Sequence, residues 1–216
     1  MKLADQLQTL LGDGVHRIGE LEILTEIHGH LHALCHADDR GLASQPAYGG
    51  LELHRGPSAA RELATYSSDG AYRFVKAETN LRHGWLMLLE KSSDLLLALD
   101  HFYPAAVGLH LAERNGVIEV QNLRDKLNRQ TGMYQGARRI SDEGAQALVQ
   151  RICGPAHRCA KRILWQIDDV TPLDDSEASR FNGISGQVPD AEAIPLLCRE
   201  ACNHFVAECR KAVKKA

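Results

Sequence analysis

Four of the six cysteines in this 216-residue chain form two spaced pairs: Cys153 and Cys159 in "CGPAHRC", and Cys198 and Cys202 in "CREAC". Thiolates at positions four apart on a helix lie about 5–6 Å from one another at Cβ, close enough to take adjacent positions around one metal centre. Pro195 suits a first helical position and predicts a helix from there to the end of the chain. Cys198 would then fall in the next turn, where free N–H groups and the positive dipole end stabilise a thiolate. The other pair differs in kind. Cys153 is expected to end a helix broken by Gly154 and Pro155, and Cys159 to begin the next, with both sulfurs aimed inward. Four thiolates suit either a structural zinc site or an iron–sulfur cluster. The spacing is looser than that of tight zinc knuckles, which favours the larger cluster and leaves zinc as the alternative. Arg158, Lys161, Arg162 and Arg199 flank the cysteines and would offset the charge of a thiolate-ligated cluster. Cys209 shares the predicted helical face but lies about 10 Å beyond Cys202 along the axis. It is expected in the core, as is Cys35 on the apolar face of a strand.

A second group of ligand-type residues is His28, His30, His32 and His36 with Glu22 and Glu26. Strand alternation places them on one side of a hairpin, opposite Leu21, Ile23, Ile27, Leu31, Ala33 and Cys35. The expectation is a wet sheet face, with metal binding there as the alternative. His157 is expected in an exposed loop. Nothing in the chain has the form of a phosphate-binding loop, a dinucleotide fingerprint or a nucleophile elbow.

The elements that must position these residues fall into two textures. "LADQLQTLL" predicts a short opening helix, and "GELEILTEIHGHLHALCHADD" a hairpin turning at Gly29. "SAARELATY" reads as a helix, "AYRFVKAE" and "GWLMLLE" as short strands. From Ser93 the periods become helical, with a Ser cap for "SDLLLALDHF" and Ser141 as N-cap of "SDEGAQALVQRICG". "HRCAKRILWQI" is a short amphipathic run, and the acidic stretch 168–193 reads as a flap. The expected fold is α+β: a small antiparallel sheet with a helix over residues 1–92, then a helical iron–sulfur domain over 93–216.

Composition narrows the function. A content of 44% apolar and 25% charged residues is that of a globular protein with a real core. A net charge of -3 gives no basic footprint for nucleic acid. The run "RKAVKK" is expected as a solvated last helical turn. The start of the chain has no apolar signal region, and runs such as "WLMLL" fall far short of the roughly 20 residues that cross a bilayer. The expectation is therefore a cytoplasmic protein with no membrane partner, whose cysteines serve a metal rather than disulfides.

"LNRQTGMY", "CAKRILWQID" and "IPLLCREACNHFVAE" resemble the 4Fe-4S cluster-binding domain found C-terminal to class II sirohydrochlorin cobaltochelatase-type domains. "GVHRIGELEI" and "NLRHGW" resemble the small stabilising domain that precedes it. The resemblance implies that Cys153, Cys159, Cys198 and Cys202 are the cluster ligands. It implies a redox, electron-transfer or accessory role linked to tetrapyrrole (cobalamin or sirohaem) metabolism, with a redox partner or a chelatase-type protein. The chelatase domain itself has no counterpart in these residues, so chelatase activity is not implied. Two alternatives stand beside this reading: a zinc-binding interaction module, and a tetrapyrrole-pathway enzyme using the histidine face.

Overall fold

The computed structural model describes residues 2–27, 29–119, 121–153, 159–166, 192–199 and 201–215. His28, His157, Arg158 and the 168–191 part of the acidic stretch lie outside them. The chain forms two compact units, Met1–Asn115 with Pro189–Leu196 and Gly116–Val188 with Leu197–Ala216.

The first unit is built on a six-stranded sheet. β1 (Arg17–Ile18) turns at Gly19 into β2 (Leu21–Ile27), and Gly29 at φ +82° turns β2 into β3 (His30–His36). β4 (Glu52–Arg55) and β5 (Trp85–Leu89) follow. The chain then leaves this sheet for β6 (Gln121–Asn122), β7 (Arg162–Ile163) and β8 (Trp165–Gln166) of the second unit. It returns as β9 (Ala193–Ile194) and departs again as β10 (Leu197–Cys198). The strand order is β4-β5-β3-β2-β1-β9. The middle pairings are antiparallel, as expected, but both edge strands are parallel to their neighbours, so the sheet is mixed.

The hairpin forms where the sequence predicts it, in a different register. Leu21 faces His36, Ile23 faces Leu34 and Ile27 faces His30. Residues directly opposite in an antiparallel pair share a face, and a two-residue turn pairs odd positions of β2 with even positions of β3. His32, Leu34 and His36 therefore lie on the face of Leu21 and Ile23, while Glu22 and Leu24 lie with Cys35 and Ala33. The expected division into an apolar face and a wet histidine face is corrected, because both faces are covered. One carries the helices α1 (Leu3–Gly12), α4 (Ser92–Phe102) and α5 (Ala106–Arg114), with Trp85 stacked on Phe102 at 5.4 Å between ring centroids. On the other, Ala33, Cys35, Leu86 and Leu88 pack with Ala43 from the short α2 (Arg40–Ala43). A strand buried on both sides needs no alternation, and all five residues of "WLMLL" are buried.

"SAARELATY" yields the four-residue α3 (Ala60–Leu63), whereas "AYRFVKAE" is not a strand. That segment is organised around the buried guanidinium of Arg73. Its nitrogens donate to Asn80 Oδ1 at 2.9 Å and to the carbonyls of Ala64, Lys76 and Glu78. The texture change at Ser93 does not coincide with the division into units, which falls after Asn115. The helices α4 and α5 belong to the first unit because their apolar faces, Leu95, Leu99 and Phe102 among them, serve its sheet.

The second unit holds α6 (Leu123–Asn128), a 3-10 run Gly132–Arg139, α7 (Asp142–Cys153) and α8 (Asn203–Lys215). Asn122 caps α6, and Ser141 caps α7 through its Oγ to Gly144 N–H at 3.1 Å, as its position predicts. Phe205, Val206 and Cys209, with Ala212 and Val213 beside them, form the apolar stripe of α8. They meet Leu127, Leu148, Ile163 and Trp165 in a separate core. Lys214 and Lys215 end α8 in its exposed last turn. This unit is not purely helical: β10 pairs with β7 and β6 with β8, both in parallel.

Candidate metal centre

The two cysteine pairs are positioned by elements other than those the spacing predicts. Cys153 ends α7 as expected. Cys159 begins no helix; it precedes β7, and "KRILWQ" runs as two short strands. Cys198 lies in β10, opposite Ile163, with Leu164 N–H donating to its carbonyl at 2.8 Å. Only Cys202 touches a helix start. The predicted helix from Pro195 is therefore corrected to one beginning at Asn203. The cause is the apolar run around the proline: Ile194, Leu196 and Leu197 are all buried, and a short run of that kind is spent on extended, doubly covered chain. Proline fits both readings, because the residue before it is biased toward extended backbone.

The helix-terminus argument passes from Cys198 to Cys202. Val206 N–H donates to the Cys202 carbonyl at 3.0 Å, which makes Cys202 the residue preceding the first turn of α8. Phe205 N–H reaches its Sγ at 3.5 Å. A thiolate there takes the place that a Ser or Asp oxygen takes in an ordinary N-cap, at the positive end of the helix dipole.

The two pairs act on one another electrostatically. Burial pushes the Cys153 thiol well up, and negative charge on Cys159, Cys198, Cys202 and Cys209 would push it further. Cys159 is raised by burial, held back by the Lys161 backbone N–H, and raised again by Cys198 and Cys202. The two pairs are therefore within electrostatic reach of one another, as Cys209 is of Cys153. Cys153, Cys159 and Cys198 are half-buried and Cys202 is exposed, whereas Cys209 is fully buried in the core with its thiol pushed up to about 12, first by burial.

This donor set fits a thiolate-ligated metal group. Three half-buried thiols and one exposed thiol within electrostatic reach of one another oppose joint ionisation, and a multivalent cationic centre removes that cost. Two buried N–H donors of the same unit, Trp165 Nε1 and Arg199 Nε, have no hydrogen-bond partner among the described residues. Sulfur-rich centres accept such bonds.

Among the described residues, His30, His32 and His36 of the hairpin do not assemble into a common ligand set. His30 Nδ1 meets the Glu90 carboxylate, and His32 Nε2 meets Ser92 Oγ at 3.2 Å. His36 turns to the end of the sheet, where its ring stacks on His83 at 3.7 Å between centroids. His32 is fully buried and its pKa is lowered by that burial. The predicted cap of "SDLLLALDHF", Ser93, lies inside α4, whose cap position is Lys91 with no side-chain cap bond; the Ser92 hydroxyl donates to Gln8. Sequence reasoning missed His83 and Asp38 beside His36, because no short spacing links His83 to the turn that carries His36 and Asp38.

Comparison with known proteins agrees with this division. Residues 115–211 match the family described as "4Fe-4S iron-sulfur cluster binding domain", and residues 3–114 match the "DR2241 stabilising domain". The crystal structure of DR2241 from Deinococcus radiodurans, a multi-domain protein with structural similarity to chelatases and two additional novel domains, is similar at 25% identity with a TM-score of 0.76. That likeness covers 99% of this chain and 41% of DR2241, so the chain spans about two fifths of the relative's length. No curated protein sequence matches significantly. Apart from Pro189–Leu196, which pack with the first unit, the two family matches divide the chain where its own packing does, and the chain belongs to the DR2241 stabilising-domain family, continued here by a 4Fe-4S cluster-binding domain.

Proposed function

We propose that Cys153, Cys159, Cys198 and Cys202 hold one 4Fe-4S cluster, and that the protein serves one-electron transfer or redox sensing for a partner enzyme. The observation that carries this reading is that both cysteine pairs lie in one unit, within electrostatic reach of one another, in the segment that matches a cluster-binding family. When bound, such a cluster exchanges single electrons at a potential set by its charge and by hydrogen bonds to its sulfurs. The chain's own residues supply those controls. The Lys161 N–H bonds to Cys159, the Phe205 N–H and the start of α8 favour thiolate at Cys202, and half-burial of the other three limits access of water. Four protein thiolates leave no iron position open to a substrate, which favours electron exchange over Lewis-acid chemistry. The chelatase likeness of DR2241 supports a chelatase-type protein of tetrapyrrole metabolism as the partner, in the cytoplasm.

The test is iron and acid-labile sulfide analysis with electron paramagnetic resonance on anaerobically purified protein. About four irons and four sulfides per chain, falling severalfold in Cys159→Ser, Cys198→Ser and Cys202→Ser but not in Cys209→Ser, is the expected result. A colourless protein with one zinc, or equal iron in all four variants, would overturn the assignment.

A further inference from the structure

A second cluster of ligand-type side chains stands in the first unit, at the end of β3. His36, Asp38 and His83 each offer one ligand atom, all within 4.8 Å of one another. Asp38 Oδ2 lies 3.7 Å from His36 Nδ1 and 4.0 Å from His83 Nδ1. Ligand atoms of a tetrahedral cation at 2.0–2.2 Å are about 3.4 Å apart, so the carboxylate oxygen need draw in by only about 0.3–0.6 Å toward each imidazole. Asp38 and His83 are free to do so, their side chains being 76% and 48% exposed.

The anchor is His36, only 4% exposed. Asp38 backbone N–H donates to its Nδ1 at 3.1 Å, which makes Nδ1 the lone-pair nitrogen and leaves the hydrogen on Nε2. Nε2 is buried with no hydrogen-bond partner among the described residues, and Glu20 Oε1 lies 3.6 Å from it. A cation bound at Nδ1 would replace the Asp38 N–H as partner of that lone pair, with the Nε2–H still turned toward a carboxylate, the usual outer arrangement of a metal-bound imidazole. Glu20 is itself held, since Leu81 N–H donates to its Oε2 at 3.1 Å and its own N–H donates to Tyr103 Oη at 2.9 Å. The two turns are tied together as well: Gly84 N–H donates to the buried Asp39 at 2.7 Å, which sets His83 beside His36.

We infer that His36 Nδ1, His83 Nδ1 and Asp38 Oδ2 bind a divalent first-row transition cation such as zinc, with Glu20 as the positioning residue behind His36. Two imidazoles and one carboxylate complete only part of a coordination sphere and leave room for water or an exogenous ligand. This site is independent of the cysteines, and its success or failure does not depend on the cluster assignment.

The test is titration of the full-length chain with Zn²⁺, followed by long-range nitrogen–proton spectra of the imidazoles, in wild type and in Cys198→Ser. The expected result is a coupled shift of His36 Nδ1 and His83 Nδ1 with His36 Nε2 still protonated, in both proteins alike. His83→Gln and Asp38→Asn, both at exposed side chains, should weaken this site at least tenfold, and Glu20→Gln by about 10–100-fold. Absence of imidazole shifts up to millimolar zinc would overturn the inference. So would shifts that survive both exposed-residue variants.

Discussion

His32 shows how one side chain can make the fold depend on pH. Burial lowers its pKa below the ordinary 6.5, so the folded chain keeps it neutral where the unfolded chain would protonate it. Its contribution to stability is therefore complete above about pH 6.5 and is lost as pH falls toward the lowered folded value. The limiting slope is about 1.4 kcal/mol per pH unit. Urea titrations of wild type and His32→Gln at pH 7.5 and 5.5 test this: wild type should lose more stability on acidification than the variant, which retains a polar group toward Ser92. Equal losses would show that His32 does not carry the effect. Cys209 makes the opposite point about residue type. It is a thiol used as a small apolar group in the second core, and Cys209→Ser should cost about 1–2 kcal/mol in thermal unfolding of that unit while sparing bound iron.

At the scale of elements, turns decide more than propensities. Gly19 sits at φ +55°, and a Cβ added there would meet the Tyr103 ring at 2.5 Å. Gly19→Ala combines a left-handed backbone penalty with overpacking against a buried ring, and should destabilise the protein by about 2–5 kcal/mol in chemical denaturation. A loss below about 0.5 kcal/mol would mean that Tyr103 moves aside freely. The same dependence explains what the sequence could reveal. The hairpin was legible from alternation and Gly29, but its register was not, because one residue in the turn flips every side chain to the other face. The four cysteines were legible as a group, since residue type and flanking charge do not depend on conformation. Their geometry was not: a proline followed by "LLCREAC" satisfies the start of a helix locally, and only the burial of Leu196 and Leu197 turns it into strand. The His36, Asp38 and His83 group was out of reach, because Asp39 and Gly84 bring its halves together across a long separation in sequence.

For the whole molecule, separate cores mean that loss of the metal centre should be felt unevenly. Each unit has its own buried cluster, and the cysteines all fall in the second except Cys35. Stripping iron by oxidation and chelation should speed amide exchange across α7, α8 and the short strands around Cys198, while the amides of β2, β3 and β5 keep their protection. Hydrogen-exchange mass spectrometry reads both in one experiment, and uniform deprotection of the two units would contradict the expectation. The route of the chain between the units has a further bearing. β1 is completed on its outer side by Ala193 and Ile194, residues that follow most of the second unit in the sequence. On the ribosome, at about 5–20 residues per second, the edge of β1 then waits roughly ten to thirty seconds for its partner strand. Throughout that interval a nascent sheet shows an open edge to other chains. The exposure is limited because β1 is only two residues long and one of them is Arg17, the kind of short, charged edge that discourages pairing with strangers.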